Sequence, residues 1–284
     1  MQLQFVRHLW GVTEPLATAL PKFKAEGFTA IEAGVLWMNA EQRAELRDLL
    51  AKHQLGLIIQ VFTGGFDPKA QRTPEADLES LKQQVADALT FKPLFINAHT
   101  GYDAWTMAEM RRFYQASATF EASLPIPLAH ETHRGRCFHS PWIVRELLPE
   151  LPKLRFTADF SHWCCVAERL IDDQIEIIKA VARQTHHIHA RVGHAQAPQV
   201  TDPRAPEWAE ALAAHERWWD VIWDAQEAAG VATSTLCPEF GPATYMPTLP
   251  FTNVPVADLW DICTWQAKRQ AERFAKRTQA AKAR

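Results

Sequence analysis

The sequence predicts an α/β fold, a single (β/α)8 TIM barrel over residues 1–284. Eight short runs of β-forming residues alternate with longer segments of helical period, which is the pattern of parallel βα units. No Gly/Ser linker divides the chain, and 47% hydrophobic residues among 284 can fill one large core. A doubly wound open sheet is the main alternative, but no G-x-G-x-x-G motif follows the first run.

The eight predicted strands alternate with plausible helices along the whole chain. One such helix carries Ile171, Ile175, Ile178 and Ala182 at spacings of three or four residues, so it presents one buried stripe. Stripes of this kind pack onto a sheet. The predicted strands are Leu3–Trp10, Phe28–Ala33, Gly56–Phe62, Leu94–Ala98, Pro127–Glu131, Arg155–Asp159, His187–Ala190 and Thr233–Glu239.

Charge and cysteine content restrict the class of function. The 30 Lys and Arg residues against 33 Asp and Glu give a formal charge of −3, which disfavours nucleic-acid binding through a broadly basic surface. The five cysteines lack C-x-x-C spacing, which argues against a disulfide framework or a thiolate zinc site. The sequence shows neither a signal-like N-terminus nor a membrane-spanning apolar run. We therefore expect a cytoplasmic protein with a small-molecule substrate and neither a nucleic-acid nor a membrane partner.

Polar residues lie at or next to the ends of the last four predicted strands: Glu131, Asp159, His189 and Glu239. A TIM barrel brings the carboxyl ends of its strands to one mouth, so these side chains should meet there. Any one of them could instead bond a helix N-terminus or an arginine, but four in succession favour a shared site. Three carboxylates and an imidazole would repel one another without a cation. The residue types predict one divalent metal ion, Mn²⁺ foremost, with Mg²⁺, Co²⁺ or Zn²⁺ as alternatives.

Four short motifs lie in order on these strands: His130–Arg136, Ala158–His162, His187–Arg191 and Pro238–Pro242. Through them the sequence resembles the xylose isomerase-like TIM-barrel superfamily of sugar isomerases and epimerases, which also contains endonuclease IV-type enzymes. The resemblance covers nearly the whole chain. It implies that the metal ligands are the same four strand-end residues, and that two copies could pair as a homodimer.

The predicted chemistry is that of a metal-dependent isomerase or epimerase acting on a sugar or small keto-acid. The ion would polarise the carbonyl and stabilise an enediolate, while Glu131 and Glu239 would serve as the acid/base pair. Hydride-shift isomerases of the superfamily use two metals and a lysine near the fifth strand. Here that neighbourhood offers His133, Arg134 and Arg136 instead, which favours proton transfer.

Seven further residues at or just after strand ends are candidates for binding the substrate. His162 could instead be an extra ligand or a structural histidine, and Arg191 could form an ion pair behind the ligands. Arg204 is a candidate because its loop, residues 197–206, looks like the arginine-containing loop of hydroxypyruvate isomerase-like members; it could equally pair with Asp202 or Glu207. The tryptophans could simply pack in the core. The seven candidates are Trp10, Glu32, His99, His162, Trp163, Arg191 and Arg204.

Three other functions remain open from the sequence. The same site could support a lyase or dehydratase, in which the enediolate expels a leaving group. An endonuclease IV-like phosphodiesterase needs further histidines on early strands, whereas the third strand here ends in Gln60-Val61-Phe62. A catalytically silent binding barrel would keep the rim residues without stoichiometric metal.

Overall fold

Eight parallel strands pair in chain order and close into a barrel in the computed structural model, which describes residues 1–65 and 72–282. This confirms the predicted (β/α)8 fold. Each strand pairs with the next, and β8 pairs with β1. The strands are β1 (Gln2–His8), β2 (Ala30–Gly34), β3 (Gly56–Phe62), β4 (Phe95–His99), β5 (Leu128–Glu131), β6 (Phe156–Ala158), β7 (Thr185–His189) and β8 (Thr233–Cys237).

The helices of the described ranges surround the barrel. Most begin at a capping side chain, as at Thr106, whose hydroxyl accepts the backbone N–H of Glu109 while the Glu109 carboxylate accepts that of Thr106. None of the described helices has both the length and the apolar composition needed to cross a membrane. The helices are α1 (Leu16–Ala25), α2 (Ala40–His53), α3 (Pro74–Leu89), α4 (Met107–Glu121), α5 (Pro141–Leu147), α6 (Phe160–Ala167), α7 (Ile175–Ala182), α8 (Ala209–Ala228) and α9 (Leu259–Lys282).

The alternation of side chains along the strands separates two buried regions. Ile31, Ile59 and Ile96 belong to the main core between barrel and helices, whereas alternate residues such as Ile58 and Phe95 form a small apolar cluster of their own. Side chains two positions further along a strand return to the same face. The barrel interior is therefore apolar lower down and becomes polar toward the carboxyl ends of the strands, an end that we call the mouth.

The observed strand ends refine the predicted positions of the four polar residues. Glu131 and His189 are the last residues of β5 and β7, as predicted. Asp159 lies one residue beyond β6, where it caps α6 by accepting the backbone N–H of Ser161. Glu239 lies two residues beyond β8. Both are in the loops of the mouth rather than in the strands, because the chain turns there toward its next segment.

Three arginines of the C-terminal helix α9 pair with acidic residues of α8. Within α9, Arg269 lies 2.6 Å from Glu216 of α8, and Arg273 lies 2.6 Å from Asp220. Arg277 continues the series with Asp224. The positive charges therefore fasten α9 to an acidic face of α8.

Candidate metal centre

Glu131, Asp159, His189 and Glu239 converge at the mouth of the barrel. Each offers a ligand atom, and these four atoms lie within 4.8 Å of one another. All four residues are buried. His189 is central, because its Nδ1 is 2.9 Å from Glu239 Oε2 and 3.6 Å from Glu131 Oε2. The four side chains selected from the sequence thus form one cluster.

Glu32 lies beneath this cluster and contacts the opposite side of the His189 ring. Its Oε2 is 3.0 Å from His189 Nε2 and 3.3 Å from His187 Nε2. Since Glu32 is fully buried, it is not at the substrate-binding rim where the sequence placed it. A carboxylate that holds the outer nitrogen of a ligating histidine fixes the tautomer and orientation of the ring. Glu32 therefore directs Nδ1 of His189 toward Glu131 and Glu239.

Two amide side chains that the sequence analysis missed connect these carboxylates. Asn97 Nδ2 donates to Glu32 Oε1 at 2.9 Å and to Glu131 Oε2 at 2.8 Å. Gln60 Nε2 donates to Glu239 Oε1 at 3.1 Å. Each is a polar residue within a buried strand, two positions before the strand ends, and this position was the signal available in the sequence.

Arg191 is buried against the Asp159 side of the cluster. Its Nη2 contacts the Asp159 carboxylate, lies 2.7 Å from His162 Nε2, and lies 3.5 Å from Glu239 Oε2. Nearby, Gly193 packs closely on Ser161, since a Cβ at residue 193 would stand 2.6 Å from the backbone oxygen of Ser161. Both predicted residues, Arg191 and His162, are therefore beside the cluster, and Arg191 makes the ion pair considered as its alternative role.

The buried charges perturb one another strongly. Burial favours a raised pKa for Glu131, but His99 and His189 together hold it well below the ordinary value. Burial, reinforced by Glu131 and Glu239, raises the pKa of Asp159 to about 6 despite the opposing effect of Arg191. Burial favours a lowered pKa for His189, but its three carboxylate neighbours raise it well above the ordinary value. The cluster therefore attracts positive charge, because carboxylates outnumber the cations around it.

The residues fit a divalent cation. Glu131 Oε1 and His189 Nδ1 are buried and make no hydrogen bond within the described residues. Such atoms are costly to bury unless something pairs with them. Carboxylate oxygens together with one imidazole nitrogen form a donor set suited to several divalent metals. The cluster can thus hold a metal ion, with Glu131, Asp159, His189 and Glu239 as its ligands.

Two overlapping groups of donors adjoin this cluster. His99 and His133 face Glu131, and His99 Nε2 is 3.0 Å from Glu131 Oε2. Glu32, His187 and His189 form the other group, beneath the mouth, where they bond one another. Among the described residues, the four-residue cluster alone combines ligands from four successive strand ends.

A cavity of about 560 Å³ leads from solvent to the cluster. Its floor includes Glu131, Glu239, Arg191 and the predicted residue His99. Its walls are largely apolar and aromatic: Leu9, Trp10, Trp37, Met38, Phe62 and Tyr245. Trp10 is 38% exposed at the rim and meets Tyr245 edge-on, with ring centroids 4.8 Å apart. A larger cavity of about 700 Å³ lies beside the beginnings of β5–β7 and includes none of the candidate ligands.

Two predicted substrate contacts lie away from the cavity. Trp163 is wholly buried, and its indole N–H donates to the backbone oxygen of Phe138 at 2.9 Å. A sugar ring has no access to its face, so Trp163 belongs to the core. Arg204 pairs with Asp202 at 2.6 Å in a partly exposed loop and does not line the cavity, which is the alternative considered from the sequence.

The fold is shared with solved enzyme structures of low sequence identity. L-ribulose 3-epimerase matches with a TM-score of 0.64 and 14% identity over 100% of this chain and 98% of that one. The probable 3-DHS dehydratase AsbF from Bacillus anthracis matches at 0.61 and 15%, over 94% and 98%. Endonuclease IV from Thermus thermophilus matches at 0.54 and 14%, over 84% and 93%.

At such identities the likeness concerns the fold, a (β/α)8 barrel, which is shared with a xylose isomerase domain protein from Alicyclobacillus acidocaldarius as well. No protein-family model matches the sequence, and no curated protein matches it either.

Proposed function

We propose that this protein is a divalent-metal-dependent isomerase or epimerase that moves a proton on a sugar or small keto-acid. The observation that carries the proposal is the convergence of Glu131, Asp159, His189 and Glu239 within 4.8 Å, with Glu131 and Glu239 lining an accessible cavity. Its similarity in fold to L-ribulose 3-epimerase supports the same class of reaction. When bound, a divalent ion would polarise the substrate carbonyl and acidify the adjacent C–H bond.

Glu131 and Glu239 are the proposed acid/base pair. Glu131 begins ionised, because His99 and His189 lower its pKa against the effect of burial, so it can accept the proton. Glu239 follows β8, on another side of the mouth, with Gln60 holding its Oε1. If Glu131 removes the proton and Glu239 returns a proton to the same carbon, the reaction is an epimerisation. If the proton is returned to the neighbouring carbon, the reaction is an isomerisation.

Other cavity residues position the substrate in this proposal. His99 lines the cavity beside Glu131 and can bind a substrate oxygen, and Trp10 offers an aromatic face at the rim. Arg191, which also lines the cavity, contacts Asp159, Glu239 and His162 and so helps to keep the two carboxylates in place. The aromatic walls limit the access of water to the reacting carbon.

A dehydratase is the second candidate, favoured by the similarity in fold to the probable 3-DHS dehydratase AsbF. It would use the same base to remove the proton and then expel a β-hydroxyl as water. The net charge of −3 and the apolar walls of the cavity favour either of these reactions over phosphodiester cleavage of DNA.

Solvent exchange tests the proposal. The Mn²⁺-loaded protein is incubated in D₂O with a panel of ketoses and hydroxy-keto-acids, and products are followed by NMR and mass spectrometry. We expect deuterium at the carbon beside the carbonyl of the product. Loss of water would indicate the dehydratase, whereas rearrangement without deuterium would contradict proton exchange through this pair.

The Glu131→Gln variant should lose at least about 100-fold in turnover while a measurable metal content remains. Glu216→Gln is the matched control, since Glu216 is a buried carboxylate between α8 and α9 that lies away from the cavity. Unchanged turnover in Glu131→Gln would remove the role assigned to this residue.

A further inference from the structure

Arg136 is a buried cation that lines the cavity and has no acidic partner among the residues that the structure describes. The residue is 7% exposed, and its Nη1 donates to the backbone oxygen of Thr63 at 2.7 Å. Within residues 1–65 and 72–282, no carboxylate oxygen lies within 4.0 Å of its guanidinium nitrogens, and that backbone bond is the only hydrogen bond its side chain makes. One guanidinium offers five N–H donors. Most of its capacity to bind an anion is therefore unused.

Two neighbouring arginines, the half-buried Arg72 and the buried Arg191, do have acidic partners. Arg72 lies 2.7 Å from Asp77 and also donates to the backbone oxygen of Gly101, while Arg191 contacts Asp159. Arg136 has no such pair in the described ranges, and burial together with the nearby charge of Arg72 lowers its pKa. Buried charges are rarely left unpaired, since desolvation is costly. Since no described residue supplies an anion, the guanidinium at the cavity wall is open to an anionic group of a bound ligand.

The position of Arg136 suits the far end of a substrate. The residue lies in the loop after β5, yet it bonds Thr63, directly after β3, so its side chain crosses the end of β4. The four candidate ligands come from the ends of β5 to β8. A molecule that reaches the ligand cluster with its hydroxy-ketone end can therefore extend across the cavity toward Arg136.

We propose that Arg136 is an anion subsite, and that the physiological substrate carries a carboxylate or phosphate group besides its hydroxy-ketone. This inference rests on the proposed function and narrows its substrate class, since a neutral sugar would leave the buried guanidinium unpaired. Arg136 is thus a specificity-determining residue rather than a participant in proton transfer. A planar guanidinium can bind either anion through two parallel N–H···O bonds.

Binding of three small hydroxy-ketones tests this subsite. Calorimetry on the Mn²⁺-loaded protein compares dihydroxyacetone, which is neutral, with hydroxypyruvate and dihydroxyacetone phosphate, which carry the two anions. We expect one of the anionic compounds to bind at least about tenfold more tightly than dihydroxyacetone, and the tighter one identifies the group. Equal binding of all three, or binding of none, would overturn the proposal.

Substitutions test whether the preference for an anionic ligand depends on Arg136. Arg136→Met should abolish the preference for the anion and leave dihydroxyacetone binding unchanged, whereas Arg136→Lys should keep part of it. Arg134→Met is the matched control, because Arg134 lies two residues earlier, stacks on Tyr245 and does not line the cavity. An anion preference that survives in Arg136→Met would contradict the subsite.

Thermal unfolding without any ligand supplies an independent readout. Since Arg136 has no acidic partner in the described chain, Arg136→Met should keep or raise the melting temperature of the metal-free protein. A marked fall would mean that the guanidinium serves the fold, against the proposal. Failure of the proposed reaction can be distinguished from failure of the anion subsite. If only the proposed reaction is wrong, no deuterium exchange occurs, but the Arg136-dependent preference for an anionic ligand remains.

Discussion

Glu32 Oε2 lies 3.0 Å from Nε2 of His189, on the side of the ring opposite the candidate metal ligands. This contact determines which nitrogen of His189 faces Glu131 and Glu239. The carboxylate is itself held by Asn97, which also bonds Glu131, so the orientation of the histidine and that of a second ligand depend on the same buried group. The candidate metal centre thus has a hydrogen-bonded polar layer beneath it.

Replacing Glu32 should weaken metal binding without unfolding the barrel. Glu32→Gln keeps the shape of the side chain but removes the charge that orients His189, so we expect about a 10–100-fold loss of Mn²⁺ affinity. Calorimetry measures the affinity, and circular dichroism checks the fold. Wild-type affinity in the variant would show that the orientation of His189 does not depend on Glu32.

Metal uptake should release a proton. The carboxylates around His189 outweigh burial and raise its pKa well above the ordinary value, so we expect the metal-free protein to hold a proton on this ring. A metal ion needs the neutral imidazole, so its apparent affinity should rise with pH until the raised pKa is passed. Calorimetry in buffers of different ionisation enthalpy counts the released protons. A count of zero at neutral pH would contradict this assignment.

Glu216 should stabilise the packing of α9 on α8 in a pH-dependent way. Burial opposes ionisation, but the hydrogen bonds from Arg269 and Gln270 lower the pKa of Glu216. Its contribution is therefore complete above the unfolded-state pKa and is lost as pH falls through the lowered folded-state pKa. Glu216→Gln should lower the free energy of unfolding by about 1–3 kcal/mol at neutral pH. Urea titrations should find this difference shrinking as the pH is lowered through the acidic range, and a constant difference would refute the mechanism.

Trp163 should matter for stability and not for substrate binding. Its ring is wholly buried against Phe160, with centroids 5.2 Å apart, and its N–H bonds Phe138. Trp163→Phe removes the hydrogen bond and part of the ring, so we expect a loss of about 1–3 kcal/mol in unfolding free energy. Its KM should equal that of the wild type in any assay that detects turnover. A raised KM with unchanged stability would restore the predicted stacking role.

The sequence predicted the barrel and brought together the four strand-end residues because a parallel barrel places every strand end at one mouth. Glu131 and His189 end their strands as expected, and Asp159 and Glu239, although one or two residues further on, reach the same cluster. The order of the strands is enough to predict that these residues converge, so errors of one or two residues in the predicted strand bounds did not change the prediction.

The sequence could not predict how deeply each side chain is buried or which residues it contacts. The Glu32 carboxylate also lies inside the barrel. Whether that carboxylate faces a substrate or contacts a ligating residue from the side away from the metal depends on the stagger of the strands in the barrel. The burial of Trp163 and the pairing of Arg204 with Asp202 depend on loop paths that no periodicity encodes. Arg136 is noticeable only once the absence of an acidic partner among the described residues can be seen.

The metal stoichiometry of the protein tests the central claim most directly. Metal-free protein is titrated with Mn²⁺, and bound metal is counted by elemental analysis for the wild type and for His189→Ala. The account predicts one tightly bound ion per chain in the wild type and its loss in the variant. A wild type that retains no stoichiometric ion, or a variant that binds it equally well, would contradict the assignment.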